Sequence, residues 1–464
     1  MRQQPGTALQ TPMSADFLSI ADAARAIRAR KTTSEALTEH CLDAIETRDG
    51  ALNAFITTLA DGARIQAQDA DRELAAGRDR GPLHGIPLSL KDLIDLAGVP
   101  TTAASHVRKG HVARADAPAA ARLREAGAVF IGKTNLHEFA FGTTNEDSAY
   151  GPARHPRDAS RSPGGSSGGS AVSVVAGMAL ASIGTDTGGS IRIPSAACGL
   201  VGLKPSLGDI PTAGVVPLST TLDHVGPLTW TVEDARIVYQ AMRAPIAPPA
   251  AGPINVRQLR LGIPREYFLS VLDEGVAAAF ENTCQALRKA GVTLEDVSIR
   301  HAADIAPVYL HITLAEAAAY HAHTLESSPE AYTPNVRIRL EMGRYVLAED
   351  YVRALRGRDV LRHEVNAVMQ GRDGLLLPAL PIPAPPLGAA TVRVGSGDEP
   401  VRNMMLRLTQ LFNITGHPAI TVPCGSTAEG LPVGAQIVGP LGATSRLLDV
   451  AEALEPSFGP GRSR

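Results

Sequence analysis

The chain has 464 residues, 44% hydrophobic and 20% charged, which is enough apolar material for a sizeable buried core. Its formal net charge of −3 excludes a global basic field that would draw nucleic acid or anionic membrane. Four widely spaced cysteines (Cys41, Cys198, Cys284, Cys424) without a CxxC pair argue against a disulfide framework or a zinc site and fit a reducing compartment. The opening MRQQPGTALQTPMS carries no apolar h-region, and no run approaches the roughly 20 apolar residues that span a bilayer. These features predict a soluble, cytoplasmic protein.

After a polar leader (1–15), Ile20 to Ala29 has the apolar spacing of a helix. Thr32-x-x-Glu35 has the form of a capping box ahead of a second helix with Leu37, Cys41, Ala44 and Ile45 on one face. Asn53–Leu59 is β-branched and strand-like, and Ala60–Ala76 is an alanine-rich helix. HGIPLSLKDLID reads as an apolar strand carrying Lys91. A helix over Ala117–Ala126 then leads through Gly127 into a strand at Val129–Ile131.

Next comes a helix over Ala171–Met178, a strand over Leu180–Ile183 and a helix over Ser190–Cys198. GLVGLKPS reads as strand and turn, Ala235–Met242 as helix, and APIAPPAAGP as a connector. LRLGIP is a strand, Glu274–Ala290 a helix, and Leu340–Gln370 one or two charged helices. LLLPALPIPAPP ends a buried strand, AITVPC and PVGAQIVG form a strand pair, and Ser445–Leu454 closes with a helix. Such alternation predicts an α/β fold, a mixed sheet with helices on both faces.

Two glycine–serine clusters stand out, Gly164-Gly165-Ser166-Ser167-Gly168-Gly169-Ser170 and Gly188-Gly189-Ser190, bracketing an apolar segment. Glycines beside serine allow tight turns and bring backbone N–H groups close to a bound atom. A serine nucleophile needs an activating base and donors aimed at the developing oxyanion, which N–H groups from Thr187 to Ser190 would supply. Taken alone, Ser190 fits a helix N-cap equally well. The first cluster lacks the Lys-Ser/Thr ending of a P-loop, so a phosphate cradle has little support. Lys91 in its apolar strand is either a snorkelling lysine or, if buried, a neutral amine and a usable base. Asp92 and Asp95 fit helix caps or solvated charges. The 13 histidines show no HxxxH or HExxH spacing, so no metal or cofactor is expected, and His137 and His224 read as structural or pocket-lining residues.

In order along the chain, the Lys91 strand, GKTNLHEFAFG, SPGGSSGGS, GTDTGGSIRIPSAACG, GLKPS and LDHVGPLT resemble the amidase signature family of serine hydrolases. The spacing, 75 residues from Lys91 to Ser166 and 24 from Ser166 to Ser190, makes the set specific. The resemblance implies a single large domain over 16–460, with a mixed, mostly parallel central sheet sandwiched by helices. Its catalytic segment would be 85–230, with pocket-shaping helical insertions about 301–370. It further implies Ser190 as nucleophile, Ser166 at a cis peptide as bridge, and Lys91 as base. The N–H groups of Thr187, Gly188 and Gly189 would hold the oxyanion, with Ser167, Ser170, Asp186 and Arg192 in support. The substrate pocket would draw on Phe139, Phe141, Gly142, Thr143 and Leu406, a mostly apolar set.

Two departures bear on substrate. Asp209 stands where many relatives carry Arg, and apolar Leu406 occupies the position where glutamine-using members place an acid. An aliphatic group cannot pair with an α-ammonium. The expectation is therefore a stand-alone hydrolase, monomer or homodimer, of C–N bonds in small uncharged amides, with esters and carbamates within its chemistry. The alternative is the glutamine-dependent subunit of a tRNA-amidating complex.

Overall fold

The computed structural model describes residues 19–244 and 254–459. The polar leader over 1–15 and all but the first residue of the APIAPPAAGP connector lie outside the described residues. In chain order the strands are β1 (Phe55–Thr58), β2 (Pro87–Lys91), β3 (Val129–Thr134), β4 (Ala181–Asp186), β5 (Val201–Lys204), β6 (His224–Thr229) and β7 (Arg260–Pro264). They continue with β8 (Thr293–Val297), β9 (Gly374–Pro378), β10 (Thr391–Val394), β11 (Gly397–Pro400), β12 (Ala419–Ser426) and β13 (Pro432–Val438).

Eleven of these form one sheet in the order β1-β3-β2-β4-β6-β5-β12-β13-β9-β7-β8, while β10 and β11 make a separate hairpin. The sheet is mixed, as expected. Its parallel pairs fall in two blocks, β3-β2-β4 and β9-β7-β8, joined by antiparallel neighbours through the centre. In β2, β3, β4 and β9 every residue is buried, which is why they read as continuous apolar runs rather than alternating ones.

The first parallel block positions the site. Leu88, Ser89 and Leu90 of β2 pair with Ala181, Ser182 and Ile183 of β4, so Lys91 and Thr185-Asp186 emerge together at the strands' carboxyl ends. That end of a parallel sheet is where crossover loops leave room for a ligand. Short helices begin there too, Gly168–Val175 just after Ser166 and Arg192–Cys198 just after Ser190.

Three local details differ from the sequence reading. The second helix is capped by Thr33, not Thr32, and its N–H groups at Ser34 and Glu35 are taken by the Asp71 carboxylate. Glu35 is thereby freed from the reciprocal role that a capping box would give it. The helix expected at Ala171 starts at Gly168, because Gly168 and Gly169 are small to fit against Asn145 and the backbone of Ala54 and Asn135. The helix expected from Ser190 starts at Arg192, and Ser190 caps nothing. Instead, the Asp186 carboxylate accepts the N–H groups of Ile191 and Arg192.

The stretch from Leu340 to Gln370 is two helices, the end of Pro334–Gly343 and then Ala348–Met369, packed on a third, Ile305–Ser327. A second apolar cluster, including Ile312, Leu361, Leu377 and Phe412, seats Ile305–Ser327 and Ala348–Met369 against β9 and the segment following β11.

Candidate active site

Lys91 is fully buried at the end of β2. Its Nζ donates to Ser166 Oγ at 2.7 Å and to Thr185 Oγ1 at 2.8 Å. Burial lowers its pKa to about 7, opposed by the negative charges of Asp223 and Asp186. An amine in that range is available in its neutral form near neutral pH, next to a hydroxyl whose proton it can accept. Ser166 is fully buried and follows a cis Gly165–Ser166 peptide. A Cβ on Gly165 would run into the backbone of Thr143, Thr144 and Asn145.

Ser190 retains 5% exposure where Lys91 and Ser166 have none, so it is the member of the three nearest the solvent side. Its carbonyl accepts the Ser167 N–H at 3.3 Å, which ties the two glycine–serine clusters together. Ser167 Oγ donates to the Thr185 carbonyl at 3.2 Å, and Ser170 Oγ lies 2.8 Å from Thr134 Oγ1. Both are buried links between the helix at Gly168 and the strand ends.

The turn from Thr187 to Ser190 is shaped by its glycines. Gly189 has φ +141°, and Cβ atoms at Gly188 and Gly189 would strike Tyr309 Oη and Thr409 Oγ1 respectively. Thr409 Oγ1 donates to the Gly188 carbonyl at 2.5 Å, and Thr187 Oγ1 donates to Asp223 at 2.6 Å. Among the described residues, the N–H groups of Gly188, Gly189 and Ser190 have no recorded protein acceptor. Donors left open beside a serine can receive an oxyanion.

Behind the turn, fully buried Arg192 meets Asp186 at 3.0 Å and also donates to the Thr409 carbonyl, Gln436 Oε1 and Asn413 Oδ1. Burial on its own would raise the Asp186 pKa, but the Arg192 guanidinium holds it well below the usual carboxylate range. Asp223 behaves oppositely, since burial pushes it up to about 6 against the hydrogen bonds from Thr187, Leu218 and Ser219. His224 Nδ1 lies 2.7 Å from the Leu222 carbonyl, and burial keeps the ring neutral. It is a structural histidine.

Thr185 and Asp223 lie inside the GTDTGGS and LDHVGPLT stretches without being singled out there, and no sequence pattern marks Thr409 or Tyr309. Three of them lie far along the chain from the residues they support, and Thr185 reaches Lys91 only through the pairing of β2 with β4. Asp92 proves neither cap nor solvated charge, because it is fully buried against Lys133 Nζ at 3.0 Å and accepts from Thr102. Asp209 accepts from Tyr239 Oη at 2.9 Å and Thr444 Oγ1 at 2.5 Å, so it serves to fasten two helices.

Two cavities flank this centre. One, about 530 Å³, is lined by Tyr309, Leu406, Arg402 and neighbours, and both Tyr309 and Leu406 abut Gly188. The other, about 540 Å³, is lined by Thr143, Thr144, His137, Arg339 and Arg402, with Thr143 and Thr144 against Gly165. His137 Nε2 sits 3.1 Å from Asp147 in its wall. Phe139 packs inward on His321 at 4.2 Å between ring centroids, Phe141 lies under Arg339, and Gly142 is held close to the His137 ring. Arg339 and Arg402 thus stand where an apolar lining was expected, brought in from the helical segment and from the residues after β11.

A buried lysine–serine pair beside a second serine on a glycine turn, at the carboxyl ends of parallel strands, has the makings of a serine hydrolase centre. The profile of the Amidase family matches residues 36–448, and the chain belongs to that family. It is 40% identical over 428 residues to an amidase of Pseudomonas putida, covering 89% of this chain and 90% of that one. It is 38% identical over 484 residues to a glutamyl-tRNA(Gln) amidotransferase subunit from Anaeromyxobacter dehalogenans, covering 96% of each. A crystal structure of an amidase superposes with a TM-score of 0.90 at 38% identity, covering 95% of this chain and all of that one.

Proposed function

We propose that this chain is a free-standing amidase that cleaves small amides through a Ser190–Ser166–Lys91 relay. The hydrogen bond from a buried Lys91, with its pKa near 7, to Ser166 Oγ carries this reading. Ser190 Oγ attacks the neutral carbonyl carbon while its proton passes to Ser166, whose own proton passes to Lys91. The tetrahedral oxyanion rests on the open N–H groups of the Thr187–Ser190 turn. Lys91 and Ser166 return the proton to the leaving nitrogen as the C–N bond breaks, giving an acyl-enzyme and free amine. Water, deprotonated by the same relay, then releases the acid and regenerates Ser190.

Esters and carbamates present the same carbonyl to the same donors and fall within the proposed reach. The proposed working form is a cytoplasmic monomer or homodimer acting on a small molecule, and no helix of the described residues is long and apolar enough to cross a membrane.

Relatives of both kinds make a role within an amidotransferase the second reading. Leu406 weighs against it, because this buried aliphatic side chain abuts Gly188 and offers an α-ammonium no partner. Hydrolysis of a matched anilide, phenyl ester and N-aryl carbamate by the purified chain, with Ser190→Ala as control, tests the proposal. Serine-dependent release of product without added protein or glutamine is the expected result. Silence on all three, with activity appearing only beside co-purified chains and glutamine, would favour the amidotransferase reading instead.

A further inference from the structure

Among the described residues, four arginines have a buried Nε without a hydrogen-bond partner, namely Arg358, Arg372, Arg402 and Arg407. Three are engaged through their other nitrogens or through a near neighbour. Arg358 pairs with Asp359, Arg372 with Glu295, and Arg407 donates to the Tyr267 carbonyl while lying 4.0 Å over its ring. Arg402 has no recorded ion pair or hydrogen bond among the described residues. Arg402 is half-buried, its Nε alone being withdrawn from water, and the fork of donors of a guanidinium is shaped for a planar anion.

Its place in the fold gives that fork a purpose. Arg402 lines both cavities, the one that meets Gly188 through Tyr309 and Leu406 and the one that meets Gly165 through Thr143 and Thr144. It is the one charged side chain common to the two. Leu406 lies one helical turn further on, four residues along.

The other charges around it set the size of the charge it can take. In the second cavity Arg339 is accompanied by Glu146 and Asp147, and its Nη1 is occupied by the Phe141 carbonyl at 2.7 Å. The first cavity is lined by Glu399 together with Arg402 and the already engaged Arg407. One open fork remains, which suits a single negative charge. The carboxylates on the rim disfavour a dianion such as a phosphate monoester.

From this placement we infer that Arg402 is a specificity-determining residue that binds a carboxylate carried by the substrate away from the reacting carbonyl. The inference rests on the amidase reading and narrows it, replacing the expected wholly uncharged substrate with a monoanionic amide. Because apolar Leu406 lies beside the fork, the carboxylate comes without an adjacent ammonium, unlike that of free glutamine.

The test compares kcat/KM for matched substrates with the wild-type chain. One arm sets the 4-nitroanilide of glutaric acid, with its free carboxylate on the acyl half, against that of butyric acid. The other sets N-butyryl-4-aminobenzoate, with the carboxylate on the amine half, against N-butyrylaniline. A charge-assisted bidentate contact predicts a preference of about tenfold or more for the anionic member of one arm, expressed mainly in KM. The preferred arm identifies the half of the substrate that reaches Arg402.

Arg402→Gln should lower that anionic-to-neutral ratio at least about tenfold, with Arg402→Lys keeping part of it as a point charge without the fork. The lysine variant also supplies the reading should the glutamine variant fail to fold. Cleavage of the neutral members with no anionic preference, or a preference unchanged in both variants, would overturn the inference while leaving the amidase reading standing. Failure of the wild type to cleave any of the four would overturn both.

Discussion

At the end of β2 a lysine amine is enclosed by Ser166, Thr185 and apolar strand neighbours, and its behaviour with pH follows from that enclosure. With its pKa lowered to about 7, the Lys91 amine is protonated and idle as a base below that pH, and neutral above it. We therefore expect kcat/KM for a neutral anilide to climb with an ascending limb centred near pH 7, far below the ordinary lysine range. Asp223, pushed up to about 6, adds its own ionisation at the foot of the same limb. Lys91→Ala should cost about 10²- to 10⁴-fold at neutral pH and abolish the limb, with the fold retained by circular dichroism. Near-wild-type turnover in that variant would remove Lys91 from the relay. Ser166→Ala should be similarly impaired. Combining it with Lys91→Ala should add little further loss, because a proton relay fails as a unit and steady-state kinetics of the double variant reads that directly.

Among elements, the turn after β4 depends on what lies behind it. The Asp186–Arg192 pair is buried at both ends and joins β4 to the segment around Asn413. Arg192→Met leaves the Asp186 carboxylate buried without its main partner and should cost about 3–5 kcal/mol, read as a lowered urea midpoint. Because Asp186 is held below its usual value of 3.8, its stabilising share is present above that pH and is lost as the solution becomes more acid. The front of the turn is as tightly bound. Gly188→Ala places a methyl against Tyr309 Oη and Leu406, so it should displace the open N–H groups and depress kcat far more than it lowers the melting temperature. Tyr309→Ala in the same chain should recover part of the loss.

Across the whole molecule, what was legible in the sequence follows chain proximity. The buried strands β2, β3 and β9 declared themselves as apolar runs, and the two glycine–serine clusters marked Ser166 and Ser190. Helix starts were less legible, because Gly168 begins a helix for reasons of packing and Asp186 takes over the capping that Ser190 was expected to perform. The pocket was least legible. Arg339 and Arg402 sit more than 140 residues beyond Ser190, and only the packing of the helices around 305–369 and the segment after β11 brings them to the site. Their arrival is what separates a generic apolar pocket from one with an open cationic fork.

The proposed role of Ser190 as a nucleophile activated through Ser166 and Lys91 is open to direct chemical labelling. Treating the purified chain with a fluorophosphonate and mapping the adduct by peptide mass spectrometry addresses it without knowledge of the natural substrate. One covalent adduct is expected on Ser190, slowed in Lys91→Ala and absent in Ser190→Ala. An adduct on another residue, or undiminished labelling of the Ser190→Ala chain, would contradict it.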